Sequence, residues 1–594
     1  MLFSSTALSL NWDLRDLYQD FDDPHFIQDL TAVQKQARAF RVAYYGQVAK
    51  LTPQEIATAI QELEKIAMLS DKLYYYPMLR FSANTRDKEA TQKLDYVQEV
   101  TTELENQILF FDLELQKLSD EQLIYISSHH ILQKYSRYFE RLIELQSHEL
   151  AEDVEQIINQ SELTGRDAWI QLRDIHLGSQ IYPAVTHSEN QTATTEAELA
   201  ALLFHSDPQI RLDAYCSVRH VLATHNVLYG YVLSTLAQDH RLEATLRGYN
   251  STLAKQLLAY EIPIHVFDAV MKSTRDHYEL FQHHYRLKER AVGHSIRICD
   301  LYAPWSHASS ELKYADGVAM LSEALYEFSP EYAEQAQNFF RHHWIDAQIR
   351  PGKRRGGFCA HVGGVHSYLM LSYTNDYNSL FSLAHELGHG LHYMEIQKHQ
   401  PYFDSDPPVV LAEVASTFNE FLLLDYILKQ SLEPNLARTF LTQHFENQLN
   451  LLFRQSAITR LELAIHERAS QGSFDHEFVN KKWFEIYKDL CGDVIELPPE
   501  HQYDWAKMEH IFIQPFYCFN YTLSFIVALL CFTKYKNYGQ DFVPSYLEFL
   551  RSGNARKPEQ ALQILEIDLT SSATLDHAFT TIESLLNHLE GLAK

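Results

Sequence analysis

The chain of 594 residues is short of basic charge: 50 lysines and arginines stand against 78 aspartates and glutamates, a net charge of -28. That balance argues against nucleic acid and against anionic membrane surfaces as partners, and it favours solubility. Cysteine is scarce as well. Cys216, Cys299, Cys359, Cys491, Cys518 and Cys531 are scattered without Cys-x-x-Cys spacing. They read as reduced, mostly buried thiols of a cytoplasmic protein rather than as a disulfide framework. Long apolar runs are missing: the longest late one, Phe525 to Phe532, ends at Lys534, short of the roughly twenty residues that span a bilayer. The opening Met1-Leu2-Phe3-Ser4-Ser5 lacks a basic segment followed by an apolar core, so neither a signal peptide nor a membrane is expected. No internal repeat and no low-complexity segment is visible.

What is present reads as helices. A chain of this length exceeds one hydrophobic core, which predicts two or three domains. Thr52-Pro53-Gln54-Glu55 and Ser119-Asp120-Glu121-Gln122 are capping boxes, the first with proline at the first helical position. Helical apolar spacing fills Lys88 to Leu118 and Val154 to Leu163. The triplet Tyr74-Tyr75-Tyr76 reads as aromatic core more readily than as a binding patch. Between Ala168 and Thr195 the character changes: Ile175, Leu177, Ile181 and Ala184 predict a short strand with turns at Gly178 and Asn190. A third capping box, Thr195-Glu196-Ala197-Glu198, opens a new helix. The domain boundary is therefore expected near residue 196, dividing the chain into 1–195 and 196–594. Asp207-Pro208 starts the next helix, and long helices follow through Tyr249 and from Pro263 to Ala291.

The helical signal stops over residues 350 to 374, where Gly352, Gly356, Gly357, Gly363 and Gly364 punctuate the chain. Phe358 to His361 and Ser367 to Tyr373 read as strands, a small sheet whose edge could pair with an extended peptide. Lys353-Arg354-Arg355 reads as a solvated charge run, or as a partner for a substrate carboxylate.

Immediately afterwards comes His385-Glu386-Leu387-Gly388-His389, with Ser379 available as the cap of its helix. Residues four apart share a helix face, so His385 and His389 aim two imidazoles at one point, as zinc requires. Glu386 is placed beside them to take a proton from water. In a chain this rich in histidine the motif arises by chance in about one sequence in ten, so its neighbours decide. Metzincin spacing fails, because the next helical steps hold His392 and Glu395. Thermolysin-like spacing fails, because Pro408 and Val409 stand where its glutamate belongs. The next carboxylate is Glu413, in the apolar run Val409 to Glu420. Glu413, Thr417 and Glu420 share one helical face, which periodicity leaves open between a ligand stripe and a solvated acidic face. Late in the chain Tyr517 and Tyr521 are four apart and His510 precedes them. Spacing alone makes the tyrosines core aromatics.

Taken together, His385 to His389 and Ala412-Glu413-Val414-Ala415-Ser416-Thr417 resemble the oligoendopeptidase F branch of the thimet oligopeptidase family of zinc metallopeptidases. Trp12-Asp13-Leu14, Asp300 to Pro304, Gly352 to Ala360, Leu371 to Thr374 and His510 to Tyr521 agree in order, so the resemblance spans nearly the whole chain. Ser379, Asn375 and Glu509 depart from residues common in the family. The resemblance implies a mainly α, zincin-like metallopeptidase with a helical N-terminal domain, a helical catalytic domain and a small β-sheet beside a deep active-site cleft. It implies one Zn²⁺ per chain on His385, His389 and Glu413, and Glu386 as general base toward a zinc-activated water. Glu420 is expected to support a ligand imidazole. His510, Tyr517 and Tyr521 are implied to stabilise the transition state and orient substrate. His392 is expected to pack beside the site rather than to ligate. Short peptides cleaved internally are the implied substrates. Carboxypeptidase or peptidyl-dipeptidase specificity, or a non-catalytic helical peptide-binding role, are the alternatives, and the oligomeric state is left open.

Overall fold

The computed structural model describes residues 8–162, 164–188, 191–305, 311–430 and 434–593. Helices dominate, and the only strands among the described residues form three small sheets. The three capping boxes are formed as the sequence predicts. At Thr52, for example, the Glu55 carboxylate accepts from the Thr52 amide (2.8 Å) and Thr52 Oγ1 accepts from the Glu55 amide (3.3 Å). Each satisfies two amides that a bare helix start leaves unpaired.

Three local expectations are corrected. Trp169 to Leu177 lies in a helix, Arg166–Gly178, not a strand; strands occur only beyond it, at Val185–Ser188 and Gln191–Ala193. The helix is anchored by Arg173, a buried charge that an apolar pattern does not count; its guanidinium donates to the Ala506 carbonyl (2.9 Å). Pro263 to Ala291 is two helices, Ile264–Asp276 and Tyr278–Val292, broken at His277. The late apolar run also belongs to a longer helical stretch than its apolar core suggests. Tyr517–Ser552 is long and apolar enough by composition to cross a bilayer, but 78% of its most apolar window is buried inside the structure, as in a core helix.

Packing divides the chain into two compact units, each made of three separate segments. The first comprises Met1–Glu152, Glu311–Gln430 and Lys534–Glu566. Its N-terminal helices bury Phe40, Ile60, Leu63, Ile66, Tyr76 and Phe111 in one core. Its three-stranded sheet runs β1 (Ile345–Asp346), β3 (Ser367–Met370), β2 (Phe358–His361), with β1 parallel and β2 antiparallel to the central β3. Only β1 escapes the sequence pattern, since two residues show no alternation. The second unit comprises Asp153–Ser310, Ser431–Thr533 and Ile567–Lys594. Its interior holds ionic clusters. Glu446 accepts from Lys288 (2.6 Å) and Trp305 (2.8 Å), and Arg211 pairs with Asp300 at 2.8 Å, all of them buried.

Numbered along the chain, the helices named below are α1 (Tyr377–His399), α2 (Val414–Lys429), α3 (Gln455–Ser470), α4 (His510–Ile513), α5 (Tyr517–Tyr538) and α6 (Val543–Ser552). Within the first unit α1 packs on α2, α6, β2 and β3.

Candidate active site

Helix α1 starts earlier than Ser379. Asp376 is its cap: the carboxylate accepts from the Ser379 amide (2.8 Å), and Ser379 Oγ accepts from the Asp376 amide (3.3 Å). Ser379 therefore closes a capping box from the third helical position. One turn apart on this helix, the rings of His385 and His389 lie edge to face with centroids 5.0 Å apart. Between them sits Gly388, where a β-carbon would lie 2.5 Å from the Ala415 carbonyl oxygen and 2.6 Å from the Ser416 Cα. Helices α1 and α2 thus approach backbone to backbone, which only glycine permits.

That approach delivers Glu413. It does not lie inside a helix, as the sequence predicts. A 3₁₀ turn, Val409–Leu411, precedes it, and it occupies the cap position of α2. Ser416 Oγ donates to Glu413 Oε2 (3.0 Å) and fixes the carboxylate. Glu413 Oε2 lies 3.2 Å from His385 Nε2 and 3.3 Å from His389 Nε2. All three donor atoms fall within 4.8 Å of one another. A tetrahedral ion with bonds near 2.0–2.1 Å needs ligand atoms about 3.3 Å apart, and zinc favours imidazole and carboxylate donors, so this donor set fits it. The three side chains keep 17–25% exposure, which leaves the centre open for a further ligand.

The other faces of the ligands are also held. On α2, Glu420 Oε1 accepts from His385 Nδ1 at 2.7 Å. Burial alone would lower the His385 pKa, but its bonds to Glu413 and Glu420 outweigh that and raise it well above the usual range. Glu413 is likewise raised by burial and then pulled well below the carboxylate range by the two imidazoles. Both shifts favour a charged carboxylate facing nitrogen donors. His392 is buried and packs near Phe549, and burial pushes its pKa down to about 3.

Glu386 is 9% exposed, and burial raises its pKa. It is walled by Gly357, where a β-carbon would lie 2.7 Å from Glu386 Oε1. The loop carrying Gly357 is tethered by Lys353, which is neither solvated nor free to meet a substrate. Its side chain is 3% exposed, and its ammonium pairs with the Asp346 carboxylate at 2.6 Å and donates to the Asp346, Gln348 and Leu371 carbonyls. The sequence shows Gly388, Gly357 and Lys353 but not these contacts. The glycines sit in plain view, but their neighbours come from other segments, and a lysine beside two arginines reads as surface.

His510, Tyr517 and Tyr521 form a second cluster, in the second unit. The His510 ring stacks on Tyr517 (centroids 5.5 Å, planes 10° apart) and meets Tyr521 edge-on at 5.8 Å. Tyr517 and Tyr521 are 5.4 Å apart on one face of α5. Burial lowers the His510 pKa.

Comparison with known proteins places the chain. The model of Peptidase family M3 matches residues 201–581, and that of Oligopeptidase F matches 114–179. The chain belongs to Peptidase family M3. It is a metalloendopeptidase of that family, whose members are zinc enzymes. An oligoendopeptidase F homolog from Lactococcus lactis is 25% identical over 98% of this chain and 97% of its own length. Group B oligopeptidase PepB from Streptococcus agalactiae is 25% identical over 88% of this chain and 87% of its own. The fold is shared with the crystal structure of oligoendopeptidase-F from Enterococcus faecium (TM-score 0.73, 19% identity, 96% and 98% covered). A solved chain from Chlamydophila abortus superposes at TM-score 0.88, with 24% identity and 98% of each chain covered.

Proposed function

We propose that this M3 peptidase holds one zinc ion per chain on His385, His389 and Glu413 and hydrolyses internal bonds of short peptides in the cytoplasm. The observation that carries this reading is the approach of Glu413 Oε2 to both His385 Nε2 (3.2 Å) and His389 Nε2 (3.3 Å), with one donor atom of each of the three residues within 4.8 Å of the others. Bound there, zinc supplies a Lewis acid and lowers the pKa of a water to about 7. Glu386 takes a proton from the attacking water and returns it to the departing amine nitrogen, a role suited to a carboxyl whose pKa is raised by burial. Glu420 keeps the His385 ring in the tautomer with Nδ1–H, so that Nε2 offers its lone pair. The substrate carbonyl oxygen gains negative charge as water adds, and His510, Tyr517 and Tyr521 are its N–H and O–H donors. Strand β2 is an edge of its sheet and suits pairing with an extended peptide.

Metal analysis of purified protein tests the centre, with about one zinc expected per chain. His389→Ala should lose it. Glu386→Gln should keep zinc but lose at least two powers of ten in turnover. Internally quenched peptides with both ends blocked test the specificity: resistance to cleavage, with release of dipeptides or single residues from free ends, would replace the endopeptidase reading by an exopeptidase one.

A further inference from the structure

The turn that launches α5 is held in an unusual way. Phe516, the residue before Tyr517, has φ +61, a left-handed conformation that a bulky side chain adopts only when its surroundings impose it. Its ring is buried and lies against His466, with centroids 5.1 Å apart. Its amide donates to Glu462 Oε1 at 2.6 Å. Glu462 comes from the middle of α3, is 1% exposed, and its other oxygen, Oε2, is buried without a hydrogen-bond partner. Neighbouring bonds brace the same turn: Gln514 Nε2 donates to Tyr260 Oη (3.3 Å), and the Tyr517 amide donates to the Gln514 carbonyl (3.3 Å).

A half-satisfied carboxyl in an apolar interior is a poor stabiliser, since burying it costs more than one hydrogen bond returns. What it does supply is a single acceptor aimed at one amide. We propose that Glu462 is a positioning residue for Tyr517 and Tyr521: by holding the Phe516 amide it fixes the left-handed turn, and so sets the phase and tilt with which α5 presents the two phenols. This rests on the reading of those tyrosines as oxyanion donors. Burial pushes the Glu462 pKa up to about 8, so the working form at neutral pH is largely the uncharged acid, and glutamine is its near-isostere.

The test uses the full-length zinc-loaded chain with 3-fluorotyrosine placed at position 517, read by fluorine NMR, together with kcat and KM on a blocked quenched peptide. Glu462→Gln should leave the resonance in place and turnover near wild type. Glu462→Met, which keeps the volume and removes the acceptor, should shift or broaden the resonance. It should lower kcat about tenfold or more while KM changes far less, because the loss is felt in the transition state. Glu462→Asp draws the acceptor back by one methylene and should behave as Met does, which covers the case in which the Met variant does not fold. An unmoved resonance in the Met and Asp variants would overturn the proposal. A moved resonance combined with normal turnover in Tyr517→Phe, Tyr521→Phe and their double would uphold the anchoring of the turn and sink the donor reading alone.

Discussion

Gly388 and Ala415 touch where no side chain fits: a β-carbon on Gly388 would sit 2.5 Å from the Ala415 carbonyl oxygen. The obstacle is backbone, so it cannot swing aside, and α1 and α2 must separate to admit even one methyl group. Such overpacking costs about 1–3 kcal/mol. Gly388→Ala is therefore expected to lower the thermal midpoint and, by drawing Glu413 from the imidazoles, to weaken zinc retention. Chelator competition beside a melting curve checks both. Full zinc affinity in this variant would mean that the helices can part without moving Glu413.

Glu420→Ala leaves all three proposed ligands in place but removes the acceptor 2.7 Å from His385 Nδ1. Zinc affinity is expected to fall about 10–100-fold, as when other supporting carboxylates are lost. Unchanged affinity under chelator competition would return Glu420 to a packing role.

For Tyr517 and Tyr521, removal of the hydroxyl separates chemistry from packing. Tyr→Phe at one of the two is expected to cost about a hundredfold in kcat, as loss of a single oxyanion donor does, with a smaller effect on KM and on stability. Tyr521 is the preferred direct donor. Turnover within a few-fold of wild type in both single variants and the double would make them core aromatics.

Lys353→Met isolates the tether of the Gly357 loop. Asp346 would keep Arg350, which donates to Oδ2 at 2.6 Å, but would lose the buried ammonium. Removing one partner of a buried pair costs about 3–5 kcal/mol when nothing replaces it, and Arg350 should keep the loss below that range. Turnover should fall as Gly357 drifts from Glu386, while zinc content stays whole. A variant with wild-type kcat would show that β2 and β3 alone hold the loop.

The sequence displayed those parts of the site that depend on neighbours along one helix. The His385–His389 pair is legible because four residues make about one turn, and the capping boxes because their partners are three apart. Glu413 reads as helical because Val410, Val414 and Phe418 continue a helical spacing through it. The 3₁₀ turn that ends at Leu411 breaks the phase without breaking the pattern. Ser379 reads as the cap from residue type alone, and Asp376, three residues earlier, takes that place in the structure. What could not be read were close approaches between distant segments, Gly388 to Ala415 and Gly357 to Glu386. Absence of a side chain carries no signal of what takes its place. Lys353 shows the converse: its charge was visible, but its burial depends on Asp346 and three carbonyls brought together only by the fold.

The three-segment build of the first unit has a consequence for how this peptidase is made. His385, His389 and Glu413 all lie in its middle segment, yet α1 leans on α6, which belongs to the segment Lys534–Glu566. A growing chain exposes every proposed zinc ligand more than a hundred residues before that support exists. Synthesis therefore cannot complete this unit in N-terminal order, as it does for domains that are continuous along the chain. A chain cut or stalled before residue 534 would carry the whole zinc motif on a helix lacking one of its walls.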